Sequence, residues 1–214
     1  MTKRKRSNLT EHEQRESRKG ARILLIGAGV VGVFILGMGL VMAVLNALES
    51  AAVNDRYGET VARSCEPVPA GSTSADNLPQ TEPPRQLVLL TAGTQRRHDW
   101  HDSLTSQWQA ADEAAVAMAG CVEEDYVEIE TCSYTREAQR GGDTFTVRIT
   151  REQHTATITL VNPVDGRRID ALTLNGPEPI PCPPDTDDVT SGRERGADLT
   201  WADFAEWAEG YILD

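Results

Sequence analysis

The residues densest in possible chemistry are His98, Asp99, His101 and Asp102, a short stretch of imidazoles and carboxylates. Two histidines three apart can approach one metal ion, and a neighbouring carboxylate can orient an imidazole ring. That spacing admits a metal-dependent hydrolase centred on His98 and His101. The same residues also suit an exposed first helical turn, where the helix dipole favours aspartate. A third ligand has no recognisable spacing, because the one later histidine, His154, sits in a stretch that reads as strand or turn. The sequence holds no nucleophile elbow, metalloprotease helix, phosphate loop or spaced pair of catalytic carboxylates. The expectation is therefore a protein that is not an enzyme, with no assigned catalytic, cofactor or metal residues and no cofactor.

A second motif invites a different chemistry. Gly27, Gly29 and Gly32 make a G-x-G-x-x-G following Arg22 to Ile26, as at the start of a dinucleotide fold. That fold needs a helix with a solvent face after the glycines and an acidic residue about 20 positions on. Glu49 falls near that distance, but Val33 to Leu45 is apolar throughout. The glycines are better read as small residues of a membrane-spanning helix. Ala28 with Gly32, and Gly39 with Ala43, form small-x-x-x-small pairs that would let a second copy approach, giving a homodimer through the span.

The elements that hold these residues begin with the span itself. Residues 23–45 carry no charge, amide or hydroxyl. At 1.5 Å per residue they make a helix of about 35 Å, enough to cross a hydrocarbon core of about 30 Å. Residues 1–22 hold eight basic and three acidic groups, a balance of +5 that leaves −17 for the rest of a chain whose total is −12. Basic residues beside a span stay on the cytoplasmic side. The reading is a signal anchor in the cell membrane: a disordered basic tail (1–22) attracted to lipid headgroups, a span (23–45), and the remainder outside. A charge of −17 outside argues against nucleic acid as a partner, since phosphate binding needs a concentrated basic face.

Beyond the span, residues 46–63 allow further helix, with Gly58 as an interruption. Residues 66–84 are rich in proline, serine and threonine and read as an extended stalk. The domain is expected at 85–214 and is of the α+β class, an antiparallel sheet of about five strands with a C-terminal helix packed on it. Its strands are drawn at 86–91, 116–122, 127–131, 145–150, 156–160 and 168–174, with a tight turn at Glu123 to Asp125 and another at Asn162 to Gly166. Thr200 and Asp203 start the final helix as a capping pair, and Phe204, Trp207, Ala208 and Tyr211 form its apolar stripe. Replacing Trp207 with Ala is expected to cost about 3 to 5 kcal/mol.

Cys65, Cys121, Cys132 and Cys182 all follow the span. An even number on an oxidising side points to two disulfides, and the lack of C-x-x-C argues against a zinc ribbon or thioredoxin-type site. Cys121 with Cys132 is the favoured pair, leaving Cys65 for Cys182. A tight turn at 123–125 would nevertheless hold the first pair about 16 Å apart along the strands, beyond the ~7 Å limit between Cα atoms. The connectivity stays open.

Ala119 to Glu123, Glu130 to Tyr134, the β-rich stretch after them, Gly176 to Pro183 and the Trp-containing final helix together resemble a family of uncharacterised bacterial extracytoplasmic domains. That family is seen mostly in actinobacteria behind a single N-terminal span or signal. The resemblance covers roughly residues 86–212; it implies a domain boundary near the one drawn and structural cysteines, and no activity. Three functions remain: a surface module binding an envelope protein or glycan, the His98/His101 hydrolase, and an accessory subunit of a membrane complex.

Overall fold

The computed structural model describes residues 11–68, 70–137, 142–185 and 188–213, with side chains from residue 37 onward. The chain divides into two compact units, Met1–Leu48 and Glu49–Asp214.

The first unit consists of the leading part of helix α1 (Glu11–Ala62). Residues 11–22, read as disordered tail, are helical, and residues 1–10 lie outside the described residues. From Gly37 the helix is long and apolar enough to cross a membrane, with a mean hydropathy of 1.3. Met38, Leu40, Val41, Met42, Val44 and Leu45 are all exposed there. Such an apolar surface, with every backbone group bonded inside the helix, is compatible with a lipid surrounding. The backbone of Gly27, Gly29 and Gly32 is helical as well, so no strand precedes the glycine motif and the dinucleotide turn is not formed.

The second unit is α+β, with a mixed sheet of five strands: β1 (Gln86–Thr91), β2 (Val116–Glu137), β3 (Thr144–Val161), β4 (Arg168–Asn175) and β5 (Gly192–Arg195). β2, β3 and β4 pair antiparallel in chain order, but β1 runs parallel to β2 and β5 parallel to β3. The purely antiparallel sheet expected from sequence is therefore corrected. The 24 residues between β1 and β2 give enough chain for a parallel crossover, whereas only short turns force antiparallel pairing. The turn drawn at Glu123 to Asp125 is absent. Those three residues pair in turn with Thr157, Ala156 and Thr155 inside one 22-residue strand, and the two strands drawn at 145–150 and 156–160 are likewise one. Polar residues there mark a strand leaving the core, and carry none of the Gly, Pro or Asn that a tight turn requires.

At its base the sheet is buried on both faces. Leu87 and Leu89 of β1 join one cluster with Met118, Val122, Ile158 and Leu160, while Val88 and Leu90 join the other with Ala119, Cys121 and Val161. Double-sided burial explains why β1 is a continuous apolar run. The first cluster is closed by helix α2 (Trp201–Leu213) through Trp201, Phe204, Ala208 and Ile212. The stripe drawn from sequence was rotated: Trp207 and Tyr211 lie on the rim, half-buried, where both donate hydrogen bonds to Asp170 Oδ2, at 3.0 and 2.5 Å. Burial raises the Asp170 carboxyl, but those two donors, with the Ala171 N–H and the Arg168 charge, together hold it below its ordinary range, while burial and Asp170 push the Tyr211 hydroxyl up to about 12. The helix does begin at Thr200, whose N–H donates to Asp203 Oδ2 at 2.7 Å.

The second cluster is closed by the end of α1, through Val53, Tyr57, Val61 and Ala62, and by Cys65 just after it. Gly58 bends that end: its φ of 77° is left-handed, and a Cβ there would run into the Glu113 carboxylate. The proline-rich segment after Cys65 lies along the unit instead of standing free. Leu78 packs on the first cluster, Ser74 N–H and Asn77 Nδ2 donate to Arg168 O at 3.3 and 2.6 Å, and Asn162 Nδ2 donates to Asn77 O at 3.1 Å.

Beyond the base, β2 and β3 continue as a projecting ribbon. The segment Gly176 to Asp185 lies over one of its faces. Arg151 donates to Ile180 O at 2.9 Å, to Pro179 O at 2.8 Å and to Glu130. Tyr134 donates to Pro183 O at 2.6 Å, and Arg136 pairs with Asp185 at 2.9 Å.

The disulfides are Cys65–Cys121 and Cys132–Cys182. The pairing favoured from sequence is overturned, because Cys121 and Cys132 lie on one continuous strand, about 36 Å apart along it at 3.3 Å per residue. The ladder shifts register between Glu128 and Glu130. Cys121 pairs with Thr159 and Cys132 with Ile149, so this bulge puts both cysteines on the same ladder face although eleven residues separate them.

Candidate functional site

β1 needs partners on the edge that β2 does not cover. Leu87 N–H donates to Trp108 O at 2.7 Å and Thr91 N–H to Arg96 O at 2.8 Å. Between them, Leu89 N–H donates to Nδ1 of His101 at 3.2 Å. The imidazole thus stands in for a missing strand carbonyl. A short 3-10 helix at Asp99–Ser103 delivers it, with His98 as the N-cap: His98 Nδ1 accepts from Trp100 N–H at 3.2 Å, and His98 N–H donates to Leu89 O at 2.9 Å. The aspartates of this segment do lie in a first turn, but the reading of the whole stretch as exposed is corrected at the histidines, since His98 and His101 are both buried.

His101 is fully buried, and its Nε2 lies 3.3 Å from Tyr57 Oη. Since Nδ1 accepts a backbone N–H, the network assigns the proton to Nε2, which donates to Tyr57. Burial lowers the imidazole from 6.5 to about 4, with Arg97 adding to the shift and Asp102 opposing it.

His98 faces elsewhere. Its Nε2 lies 2.9 Å from Oε2 of Glu124, and Nε2 of His154 lies 3.3 Å from Oε1 of the same carboxylate. His154 Nδ1 accepts the N–H of Leu199 at 2.7 Å. Both rings therefore have Nδ1 committed to a backbone donor, which assigns Nε2–H to each, and both N–H groups converge on Glu124. The tautomer that would free a ring nitrogen for a metal would set N–H against N–H at Trp100 and Leu199. The histidines brought together are thus 98 and 154, bridged by a carboxylate, and not 98 and 101. Among the described residues no group of three His, Cys, Asp or Glu is placed to hold a metal ion.

Sequence reasoning missed Glu124, and the cluster left no local signal because His98 lies 26 positions from Glu124 and Asp198 lies 72 positions from Tyr126. Tyr126 stacks on His154 with ring centroids 5.0 Å apart, and the Arg195 guanidinium lies 4.1 Å from the centre of the Tyr126 ring. Tyr126 Oη donates to Asp198, which raises the hydroxyl above its ordinary value. Arg193 and Arg195 both pair with the buried Glu152, at 3.0 and 3.1 Å. Arg193 and Arg195 are matched to Glu152, while the half-open Glu124 carboxylate is held by two imidazole N–H groups and also meets solvent. The arrangement can hold a carboxylate still and present it; it carries no activated nucleophile with its base.

Two depressions mark the surface of the second unit. One of about 260 Å³ is lined by Glu49, Ala52, Val53, Arg56, Tyr57, Arg97, Asp99 and Asp102. Its cations are engaged: Arg97 with Asp102 at 3.2 Å, and Arg56 with Ala111 O at 3.0 Å. The other, about 440 Å³, lies along 75–85 over Arg85, which donates to Tyr211 O at 3.1 Å and so caps the last turn of α2.

No family model, no curated protein and no solved structure matches this chain. Residue roles accordingly rest on the geometry alone.

Proposed function

We propose that this chain is a single-pass, membrane-anchored extracytoplasmic module that works by binding and not by catalysis. In this reading residues 23–45 lie in the bilayer as a signal anchor, the basic N-terminus is cytoplasmic, and the disulfide-bonded unit is outside. An apolar helix followed by a domain whose cysteines are all paired supports that placement, because disulfides persist in oxidising compartments. The observation that carries the binding reading is the projecting ribbon. Val127, Ile129 and Phe145 are 46%, 38% and 51% exposed on it, while His98, His101 and His154 are all consumed by structural hydrogen bonds. Exposed apolar residues on a projecting, rigidly clamped element favour a contact surface for an envelope protein or glycan. Association of two copies through Gly39 and Ala43 is compatible with it, both being exposed on the helix.

The test places a photo-crosslinking amino acid at Phe145 in the full-length chain in native membranes. Discrete adducts of reproducible mass are expected, and external protease should reach the domain in intact cells. Absence of any adduct, with the protein folded and present, would overturn the binding reading; protection from protease would overturn the topology.

A further inference from the structure

We infer that the outer edge of β2, from Asp125 to Glu137, is a docking strand for an extended basic segment of another protein, which adds to the sheet beside it. The inference rests on the binding reading above and specifies its occupant.

β2 is covered on its outer side only as far as Val122, where β1 ends and Ala92 N–H takes the last carbonyl at 2.7 Å. Past that point β3 supplies one neighbour, and among the described residues no strand or backbone hydrogen bond covers the other side. Thirteen residues at 3.3 Å each leave about 43 Å of strand whose outward N–H and C=O groups lack a neighbouring strand, with Tyr126 N–H met by the Asp125 side chain at 2.8 Å. Elsewhere the sheet is better covered or its edges are short: β1 has its edge filled by residues 96–110 and by the His101 ring, and β3 is flanked by β4 over 155–161 and by β5 over 149–152. The outer edges of β4 and β5 are open too, but these strands are only 8 and 4 residues long. An open edge with backbone groups in register is the geometry that β-strand addition uses.

Charge selects the occupant. Five carboxylates fall between positions 123 and 130, and of these Glu123, Asp125 and Glu128 make no ion pair among the described residues. A second copy of β2 laid on this edge would set those carboxylates against their equivalents, and like charges directly opposed destabilise a pair. A segment with Lys or Arg at alternate positions meets them favourably. Glu123 and Asp125 share a ladder face with Val127. The matching strand therefore carries two cations two residues apart and then an apolar residue. The same carboxylates exclude the edge's own kind and admit a basic one, so the contact is hetero-association.

The probe is an end-capped twelve-residue peptide alternating Lys and Thr, added to the full-length chain in nanodiscs of zwitterionic lipid. Its controls are the Glu-Thr counterpart and a Lys-Thr peptide with two prolines, which keeps the charge but cannot pair. Expected are micromolar binding of the Lys-Thr peptide, at least tenfold slower hydrogen exchange of alternate amides in 125–137, and at least tenfold weaker binding of both controls. The D125K/E128K variant, which lies on the surface, should lose at least tenfold in affinity for the Lys-Thr peptide. Equal binding of the proline peptide, or binding without slowed exchange in 125–137, would overturn strand addition in favour of diffuse attraction. If no peptide binds while Phe145 still gives adducts in membranes, the edge inference fails and the binding module stands; if neither appears, both fail.

Discussion

The two halves of the β2–β3 ribbon are built from the same two strands and are stabilised by different physics. At the base, Val116 to Val122 and Ala156 to Val161 are buried on both faces between α1 and α2, and apolar burial does the holding. In the distal half most side chains are exposed. There a disulfide, one arginine reaching two carbonyls, and a tyrosine bonded to a third hold the Pro-rich segment in place. A sheet without a second apolar layer can still be kept rigid by covalent and charge-assisted contacts, and rigidity without burial leaves surface free for a partner.

The contrast predicts a ranked set of effects, each measurable on the full-length protein in detergent. Phe204→Ala, which empties the base, should cost about 3 to 5 kcal/mol in denaturant unfolding. A cost under about 1 kcal/mol would mean α2 does not close the core. The Trp207 effect expected from sequence should be smaller, because that ring is on the rim.

Next come the disulfides. They span separations of 56 and 50 residues, so chain entropy assigns each about 4 kcal/mol. Replacing Cys65 and Cys121 with Ser should lower the global unfolding midpoint. Replacing Cys132 and Cys182 should instead accelerate hydrogen exchange in 177–191 and the distal ribbon while base amides stay protected. If both pairs lower base protection equally, base and ribbon are one cooperative unit and the comparison fails.

His101 links the base to pH. Its folded value of about 4 lies below the unfolded 6.5, so its contribution is complete above pH 6.5 and is lost as pH falls toward 4. At about 1.4 kcal/mol per unit the loss reaches about 3 kcal/mol. His101→Asn keeps an acceptor near Leu89 N–H without titrating and should flatten the stability profile between those values. An unchanged slope would assign the pH dependence to other groups.

Arg151→Met should cost about 2 kcal/mol by stranding the carbonyls of Pro179 and Ile180, with the loss read as protease cleavage in 177–185. Val127→Ser should change stability by less than about 0.5 kcal/mol, since that side chain is exposed, and should be felt only in binding.

The apolar helix, β1, the turn at Asn162 to Gly166 and the start of α2 were all legible because each is encoded within a few neighbouring residues. Asn162 Oδ1 accepts from Val164 N–H at 3.0 Å, and Gly166 supplies the positive φ, as the local composition implies. The long strands were not legible. Glu123-Glu124-Asp125 looks like a turn because polar runs usually mark the surface, and here the surface is reached by a strand that never turns. The rim position of Trp207 was hidden as well, because the apolar stripe of α2 is wide and only the sheet beneath selects its centre.

What the sequence determined by itself was local and additive: one apolar helix fit to cross a membrane, an acidic domain with an even set of cysteines, and an α+β alternation of segments. Tertiary structure decided the rest. A single bulge near Glu128 put Cys121 and Cys132 on one face, so each found a partner some fifty residues away. Crossover of β1 made the sheet mixed. His98 was taken from His101 and joined to His154 through Glu124, because the backbone donors at Trp100, Leu89 and Leu199 each claimed a ring nitrogen. Pairings of this kind depend on which distant strand arrives at which register, and no window of neighbouring residues holds that information.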